Sequence, residues 1–246
     1  MGQTWNISDN STSGNNVSAT LSGSTLTISG TGNMADFDVS VEGEAPWYSV
    51  RTNIQTVTIQ NGVTNIGNRA FKDCSNLRTI TALPVSVTKI GYQSFYNCTH
   101  SNFTAITIPA TVNTIEGEAF LNCTNLKTVT LENGSGTLNF ARYRIGTTGS
   151  NYRYGWFLGS PVQTLNLGRN YTYETTNPII DIQATLQTLT IKITVTSIGV
   201  DAFSNCSLLK TVTFEDGSAT LNFSKSAGVS TENYFANTPI ETLYLG

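Results

Sequence analysis

The sequence predicts a mainly β repeat solenoid, in which short coils stack so that equivalent strands lie side by side. Three observations carry this. One pattern is written four times: an aliphatic residue usually followed by Gly, then Phe five places on and Cys three after that. Its anchors are Ile66/Phe71/Cys74, Ile90/Phe95/Cys98, Ile115/Phe120/Cys123 and Ile198/Phe203/Cys206, and self-similarity at a period in the twenties marks stacked coils. A strand-like segment recurs through the chain with similar spacing. Charged residues are only 12% of the chain, about half the usual share, and Asn, Thr, Ser and Gly fill the gap, as suits β-coils and tight turns.

Residues 3–33 read as a short β unit. TWNIS and STLTIS alternate apolar and polar residues as half-buried strands do, with Gly, Ser and Asn between them. A polar loop then leads to Ala45-Pro46-Trp47-Tyr48. A solenoid must close its first coil with something apolar inside and polar outside, and Trp47 is placed to do so. Residues 1–53 are therefore expected to be an N-terminal β cap packed on the repeats. Residues 54–246 are expected to be the solenoid, of about eight coils.

The strand segments are QTVTIQ, RTITAL, TAITIP, KTVTLE, QTLNLG, QTLTIK, KTVTFE and ETLYLG, centred on Val57, Ile80, Ile106, Val129, Leu165, Leu189, Val212 and Leu243. The steps between centres are 23, 26, 23, 36, 24, 23 and 31 residues. Period-2 alternation buries Val129 and Leu131 and turns Thr128 and Thr130 outward. Eight parallel strands at about 4.8 Å make a sheet roughly 34 Å long.

The two long coils resemble each other. TVTLENGSGTLNF (128–140) matches TVTFEDGSATLNF (211–223), and both pass through a Gly/Ser/Thr-rich insert to an aromatic pair, Trp156-Phe157 or Tyr234-Phe235. The second copy stops at Gly246 where the first continues, so the chain is expected to be cut at its C-terminal end, without a cap.

Composition excludes several function classes. The net charge is −3, with 13 basic and 16 acidic residues, and no basic stripe exists to neutralise a run of phosphates, so no nucleic acid is expected as partner. No apolar stretch reaches the roughly 18 residues of a membrane span. MGQTWNIS lacks the basic start and apolar core of a signal peptide, and Asn6 stands where myristoylation wants Ser or Thr.

With those residues in view, NGVTNIGNRAFKDCSNLRTI and IPATVNTIEGEAFLNCTNLKTVTL resemble the BspA-like, or Treponema pallidum type, leucine-rich repeats, whose unit is IP-x-x-V-x-x-IG-x-x-AF-x-x-C-x-x-L. STLTISGTGNM followed by APWY also looks like the segment that precedes such repeats in surface proteins of gut Bacteroides and Clostridia. The resemblance covers residues 54–131 and 186–214 and the cap, and thins over 141–185. It implies a right-handed leucine-rich-repeat coil stack with a parallel sheet on the concave face and short helical or 3-10 turns on the convex side. It further implies export to a bacterial surface, with signal or anchor outside this chain, and often adhesion. Glu116 departs from the usual Gly, and the coils ending at Leu165 and Leu189 lack Phe-x-x-Cys, which leaves their convex side open.

The four cysteines share one repeat position, and neighbouring coils place their Cα atoms within disulfide reach, about 5 Å. Cys206 lies several coils from Cys74, Cys98 and Cys123, however, so pairing any two strands the others. Buried free thiols acting as small apolar groups fit better. No zinc spacing exists, His100 alone builds no cluster, and no metal or cofactor is expected. Phe71, Phe95, Phe120 and Phe203 read as core. Asn97, Asn122 and Asn205 create NCT or NCS sequons, read here as turn devices of the repeat.

Two surfaces are candidates for binding. The outward strand positions are dominated by Thr, and Thr107, Thr130, Asn166, Thr190, Thr213 and Tyr244 belong to them. The Thr-x-Thr ladder is similar to that of ice-binding solenoids, but Ala105, Asn166 and Tyr244 interrupt it, and high β-propensity accounts for it. What it leaves is a polar, uncharged face able to receive a glycan or peptide. The second surface is the first long insert: Arg142, Tyr143, Arg144, Tyr152, Arg153, Tyr154 and Trp156, with Arg169, Tyr171 and Tyr173 later. Arg and Tyr are the residues binding hot spots use, and long loops on rigid scaffolds are where binding sits. The alternative is that these aromatics cover irregular coils.

No catalytic set is found. A glycosidase needs two facing carboxylates, whereas Glu116 and Glu118 share one coil and Glu132 and Asp216 sit on distant ones. No Ser/His/Asp set or phosphate loop is present. The expected function is a non-catalytic surface binding or adhesion module for an extracellular protein or glycan. The alternatives are a spacer presenting other domains and, remotely, a carbohydrate-active enzyme. A monomer is expected, or weak self-association through the uncapped C-terminal coil.

Overall fold

The computed structural model describes residues 2–9, 13–37, 44–144, 152–153, 155–173, 177–199, 201–216, 221–223 and 234–245. All eight predicted strand segments form strands. Six of them make one parallel sheet in chain order: Ala105–Ile108, Thr128–Leu131, Thr164–Leu167, Thr188–Ile191, Thr211–Phe214 and Thr242–Leu245. Their register is that of the sequence alignment, with Val129 opposite Ile106 and Leu165, and Leu189 opposite Leu165 and Val212. The earlier pair, Thr56–Ile59 and Thr79–Ile80, belongs to a separate sheet with Gln3–Asn6, Ser18–Ser22 and Thr25–Ser29. The ladder is interrupted at the 26-residue step.

The N-terminal unit is a three-strand antiparallel meander whose last strand, Thr25–Ser29, turns parallel to lie on Thr56–Ile59. Trp47 is 1% exposed, stacks on Phe71 at 6.2 Å and donates its indole N–H to the Ala70 carbonyl at 2.8 Å. The large ring thus satisfies its one polar group while covering the first repeat.

A second parallel sheet was not anticipated. Gly32–Asn33, Val63–Ile66, Lys89–Ile90, Thr114–Glu116, Leu138–Ala141 and Tyr171–Tyr173 are laid side by side, one from each turn of the chain. Its signal is Val-x-x-Ile, as in Val63/Ile66 and Val112/Ile115, where both aliphatics are buried.

The third wall consists of consecutive turns through the Phe segments, and 3-10 helix appears at Tyr48–Asn53 and Pro178–Asp181. The turns are stitched from coil to coil by backbone bonds such as Phe71 N–H to Ser94 O (2.8 Å), Phe95 to Ala119 (2.8 Å), and Phe120 to Trp156 (2.9 Å). Two residues per coil take left-handed φ near +55°, one two places before Phe and one two places after: Arg69 and Asp73, Gln93 and Asn97, Glu118 and Asn122, Asp201 and Asn205. This is why Asn or Asp precedes each Cys, since these residues tolerate that conformation best among non-glycines. The sequon asparagines are turn residues.

Of the two coils that lack Phe-x-x-Cys, the one ending at Leu165 obeys the same plan, whereas the one ending at Leu189 turns through the 3-10 segment Pro178–Asp181. Gly155 and Gly159 take the two left-handed positions, at φ +87° and +73°. Phe157 takes the Phe position, stacked on Phe120 at 5.5 Å and 7°, and Ser160 takes that of Cys. The rings of Trp47, Phe71, Phe95, Phe120 and Phe157 thus form one stack, and Phe203 with Phe235 forms another. All four cysteines are free and buried. The Cys98 thiol donates to Phe71 O (3.3 Å) and that of Cys123 to Phe95 O (3.1 Å); burial pushes the thiols of Cys74, Cys123 and Cys206 up to about 12.

Candidate functional site

Parallel in-register pairing turns the outward threonines into rows that cross the sheet. One row runs Ala105, Thr128, Thr164, Thr188, Thr211, Thr242, and beside it runs Thr107, Thr130, Asn166, Thr190, Thr213, Tyr244. The structure therefore brings all six sequence-predicted face residues into a single line. Thr107 and Tyr244 are exposed and the four between them half-buried, over a floor of buried Val129, Leu165, Leu189 and Val212. Within the row Asn166 Nδ2 donates to Thr130 Oγ1 at 3.0 Å, so the Thr-to-Asn change keeps the row polar.

The N-terminal sheet repeats the theme. Thr4, Thr20, Thr27 and Thr58 form one line, and Ser22, Thr25, Thr56 and Thr79 another. Thr4 and Thr20 share a hydroxyl contact of 3.0 Å, and Ser18 and Ser29 one of 3.1 Å. No charged side chain stands in any of these rows. Charges fall at the strand ends, where Lys210 pairs with Glu241 (2.7 Å) and Lys192 with Glu215.

The Arg/Tyr insert folds elsewhere. Tyr143–Arg144 and Tyr152–Arg153 form an antiparallel ribbon. The Tyr143 ring lies flat on buried Tyr92, 4.1 Å between centroids and 7° between planes. Arg153 Nε is 3.6 Å from Glu118 Oε1; the other oxygen of Glu118 accepts from Gln93 Nε2 (2.6 Å), whose own oxygen accepts from Arg69 Nε (3.1 Å). The described part of the ribbon is thus latched to two preceding coils. Arg142 is half-buried and Arg144 exposed, while Tyr154 lies outside the described residues.

Two assignments to this patch are corrected. Trp156 is 1% exposed and donates its indole N–H to Ile115 O and Ala141 O, both at 3.1 Å, so it is core. Arg169 is likewise 1% exposed; Nη1 donates to Ala110 O and Val112 O at 2.6 Å each, and burial lowers its guanidinium to about 10. It plugs the stack across two coils. Tyr171 packs edge-on against Phe140 at 5.9 Å, and Tyr173 is exposed.

Two small cavities lie among the described residues. One of about 20 Å³ lies between coils among Val129, Phe140, Phe157, Leu165 and Ile182. The other, about 30 Å³, lies between Phe37, Tyr48, Arg69 and Lys72. Each has room for about one water, so neither is a ligand pocket. Among the described residues no helix is long and apolar enough to cross a membrane.

The family model described as a BspA type leucine rich repeat region matches in six copies, over residues 47–143 and 181–245. No curated protein matches the chain. Solved structures similar to it include a leucine-rich repeat protein from Eubacterium ventriosum, 19% identical, covering 100% of this chain and 85% of that one, with a TM-score of 0.37. A leucine rich cell surface protein from Faecalibacterium prausnitzii is 17% identical, covering 100% of this chain and 76% of that one, with a TM-score of 0.41. A Treponema pallidum leucine rich repeat protein is 15% identical, covering 83% of this chain and 81% of that one, with a TM-score of 0.39.

Proposed function

The chain belongs to the BspA-type leucine-rich-repeat family, and on that premise we propose that it is a non-catalytic binding module of a bacterial cell surface, serving adhesion to a host or microbial protein or glycan. The observation that carries the reading is the pair of uncharged rows of outward side chains, held in register across six strands by a buried aliphatic floor. A rigid face of that extent offers many weak contacts in fixed positions, so little ordering entropy is lost on binding. The latched Arg/Tyr ribbon is a second, smaller surface, with Arg144 and Arg153 exposed.

A second reading is favoured by the stacking itself. Five aromatic rings, Trp47 through Phe157, are stacked face on face along the coils, which makes a stiff rod suited to presenting other domains. Binding to a panel of extracellular-matrix proteins and of host and bacterial glycans separates the two. A module binds at micromolar concentration, and Thr107→Lys with Thr190→Lys, which puts two charges on the face, removes that binding. If the ribbon carries it instead, Arg144→Ala with Arg153→Ala removes it. A spacer binds nothing.

A further inference from the structure

We infer that the hydroxyl face takes an uncharged polysaccharide chain laid across the strands, along the axis of the coil stack. This deepens the binding-module reading above and rests on it. Three features of the face select that class of ligand over a protein or a polyanion.

The first is charge. Across the rows from Thr107 to Tyr244 and from Ala105 to Thr242 no acidic or basic side chain occurs. A sulfated or uronic-acid polymer finds no cation there, and the charges at the strand ends carry both signs, Lys210 with Glu241 and Lys192 with Glu215. Protein interfaces concentrate their energy in Trp, Tyr and Arg set in pockets, and Ser and Thr are under-represented among those anchors. This face has one such residue, Tyr244, at one end.

The second is the chemistry of Thr. Its hydroxyl both donates and accepts, as the hydroxyls of a sugar do, and its methyl group packs on the C–H face of a pyranose ring. Each strand offers the pair again. β-branching leaves little χ1 freedom to lose, so binding costs less side-chain entropy than it would on a face of Lys or Gln. Asn166 adds an amide to the middle of the row while already holding Thr130 at 3.0 Å.

The third is repetition. Successive strands lie about 4.8 Å apart, comparable with the length of one pyranose unit. Row positions therefore meet successive units of an extended chain, and the contacts add along it. An exposed aromatic ring, Tyr244 at 57% exposure, can cover a sugar face where the row ends.

The test uses the whole chain in affinity electrophoresis and pull-down against mannan, xylan, mixed-linkage β-glucan and amylose. Heparin, polygalacturonate and the matrix-protein panel run beside them, each at low and high salt. The variant is Thr107→Val with Thr190→Val, which keeps shape and β-branching and removes two hydroxyls, with its melting temperature checked against the parent. We expect retardation by at least one neutral polysaccharide, insensitive to salt and weakened about tenfold or more by the valines, as loss of two hydrogen bonds implies. Binding confined to heparin, polygalacturonate or proteins overturns this inference and leaves the binding module standing. Neutral-glycan binding that survives the valine variant, with folding intact, moves the site off this face and overturns the inference too. Silence on every probe overturns both.

Discussion

The carboxylate of Asp181 accepts the Phe157 N–H at 3.0 Å, where the equivalent N–H of Phe120 finds the backbone carbonyl of Trp156 at 2.9 Å. A side chain here replaces a rung of the inter-coil ladder, because the following coil, Pro178–Asp181, turns as 3-10 helix and brings no carbonyl to that place. The substitution preserves the ring stack below it at the cost of holding a carboxylate inside the fold.

That cost has a pH signature. Burial raises Asp181 to about 6, although the Phe157 N–H pulls the other way. With the folded value above the unfolded one, the folded state binds the extra proton between about pH 4 and 6. Stability from this group is therefore fully present below the unfolded value and lost as pH rises through 6. Asp181→Asn keeps an oxygen for Phe157 and is expected to raise stability at pH 7 by on the order of 1–2 kcal/mol. Urea melts at pH 3.5 and pH 7 should show the gap between variant and parent only at the higher pH.

Ser160 stands where the repeats place Cys. Its hydroxyl donates to Phe120 O at 2.6 Å and accepts from Cys123 N at 2.9 Å, so it repeats the bond that Cys123 makes to Phe95 O and adds one. Ser160→Ala is expected to cost roughly 1–3 kcal/mol, since it leaves buried backbone groups unpaired. Ser160→Cys restores the repeat residue and should cost clearly less. Equal losses in thermal melts would show that a thiol of similar size cannot replace the two bonds of the hydroxyl.

How much of this was legible in the sequence depends on what each residue repeats. The strands centred on Val57 through Leu243 announce themselves by Thr-x-Thr alternation over a buried aliphatic, and Phe71, Phe95, Phe120 and Phe203 by their fixed distance from Cys. The row from Thr107 to Tyr244 follows from these, since register in a parallel stack is set by the same period. The coil through Phe157 hid its membership because every marker around the Phe was replaced by a physical equivalent: Gly155 for Glu118, Gly159 for Asn122, Ser160 for Cys123. The Arg/Tyr insert misled for the opposite reason. Aromatic and guanidinium groups serve binding and packing alike, and only the folded arrangement buries Trp156 and Arg169 in the stack while Tyr143 rests on Tyr92.

The thiols give a direct reading of the fold. All four are buried; burial holds Cys206 up to about 12, and burial, helped by the neighbouring Cys123 and Cys74 thiols and Asp73, holds Cys98 well above its ordinary value. Thiolate is the reactive form, so a disulfide-exchange reagent at pH 8 is expected to label none of the four in the native protein and all of them in denaturant. Rapid labelling of any one under native conditions would place that coil outside the packed stack.

The aromatic stack makes the strongest energetic claim. Phe120 is fully buried, its ring centred 5.2 Å from Phe95 at 3° and 5.5 Å from Phe157 at 7°. Phe120→Ala opens a cavity in the middle of the pile and removes two ring contacts at once, so a cost of about 3–5 kcal/mol is expected. Phe235 is half-buried and, among the described residues, stacks on one ring, that of Phe203, at 5.6 Å; its truncation should cost less than half as much. Because each coil packs chiefly on its immediate neighbours, the loss at Phe120 is also expected to uncouple the two sides of the stack. Urea unfolding should then broaden and split into two transitions, whereas the Phe235 variant keeps one. A single sharp transition in Phe120→Ala would mean that the two parallel sheets, and not the ring stack, carry the cooperativity of the fold.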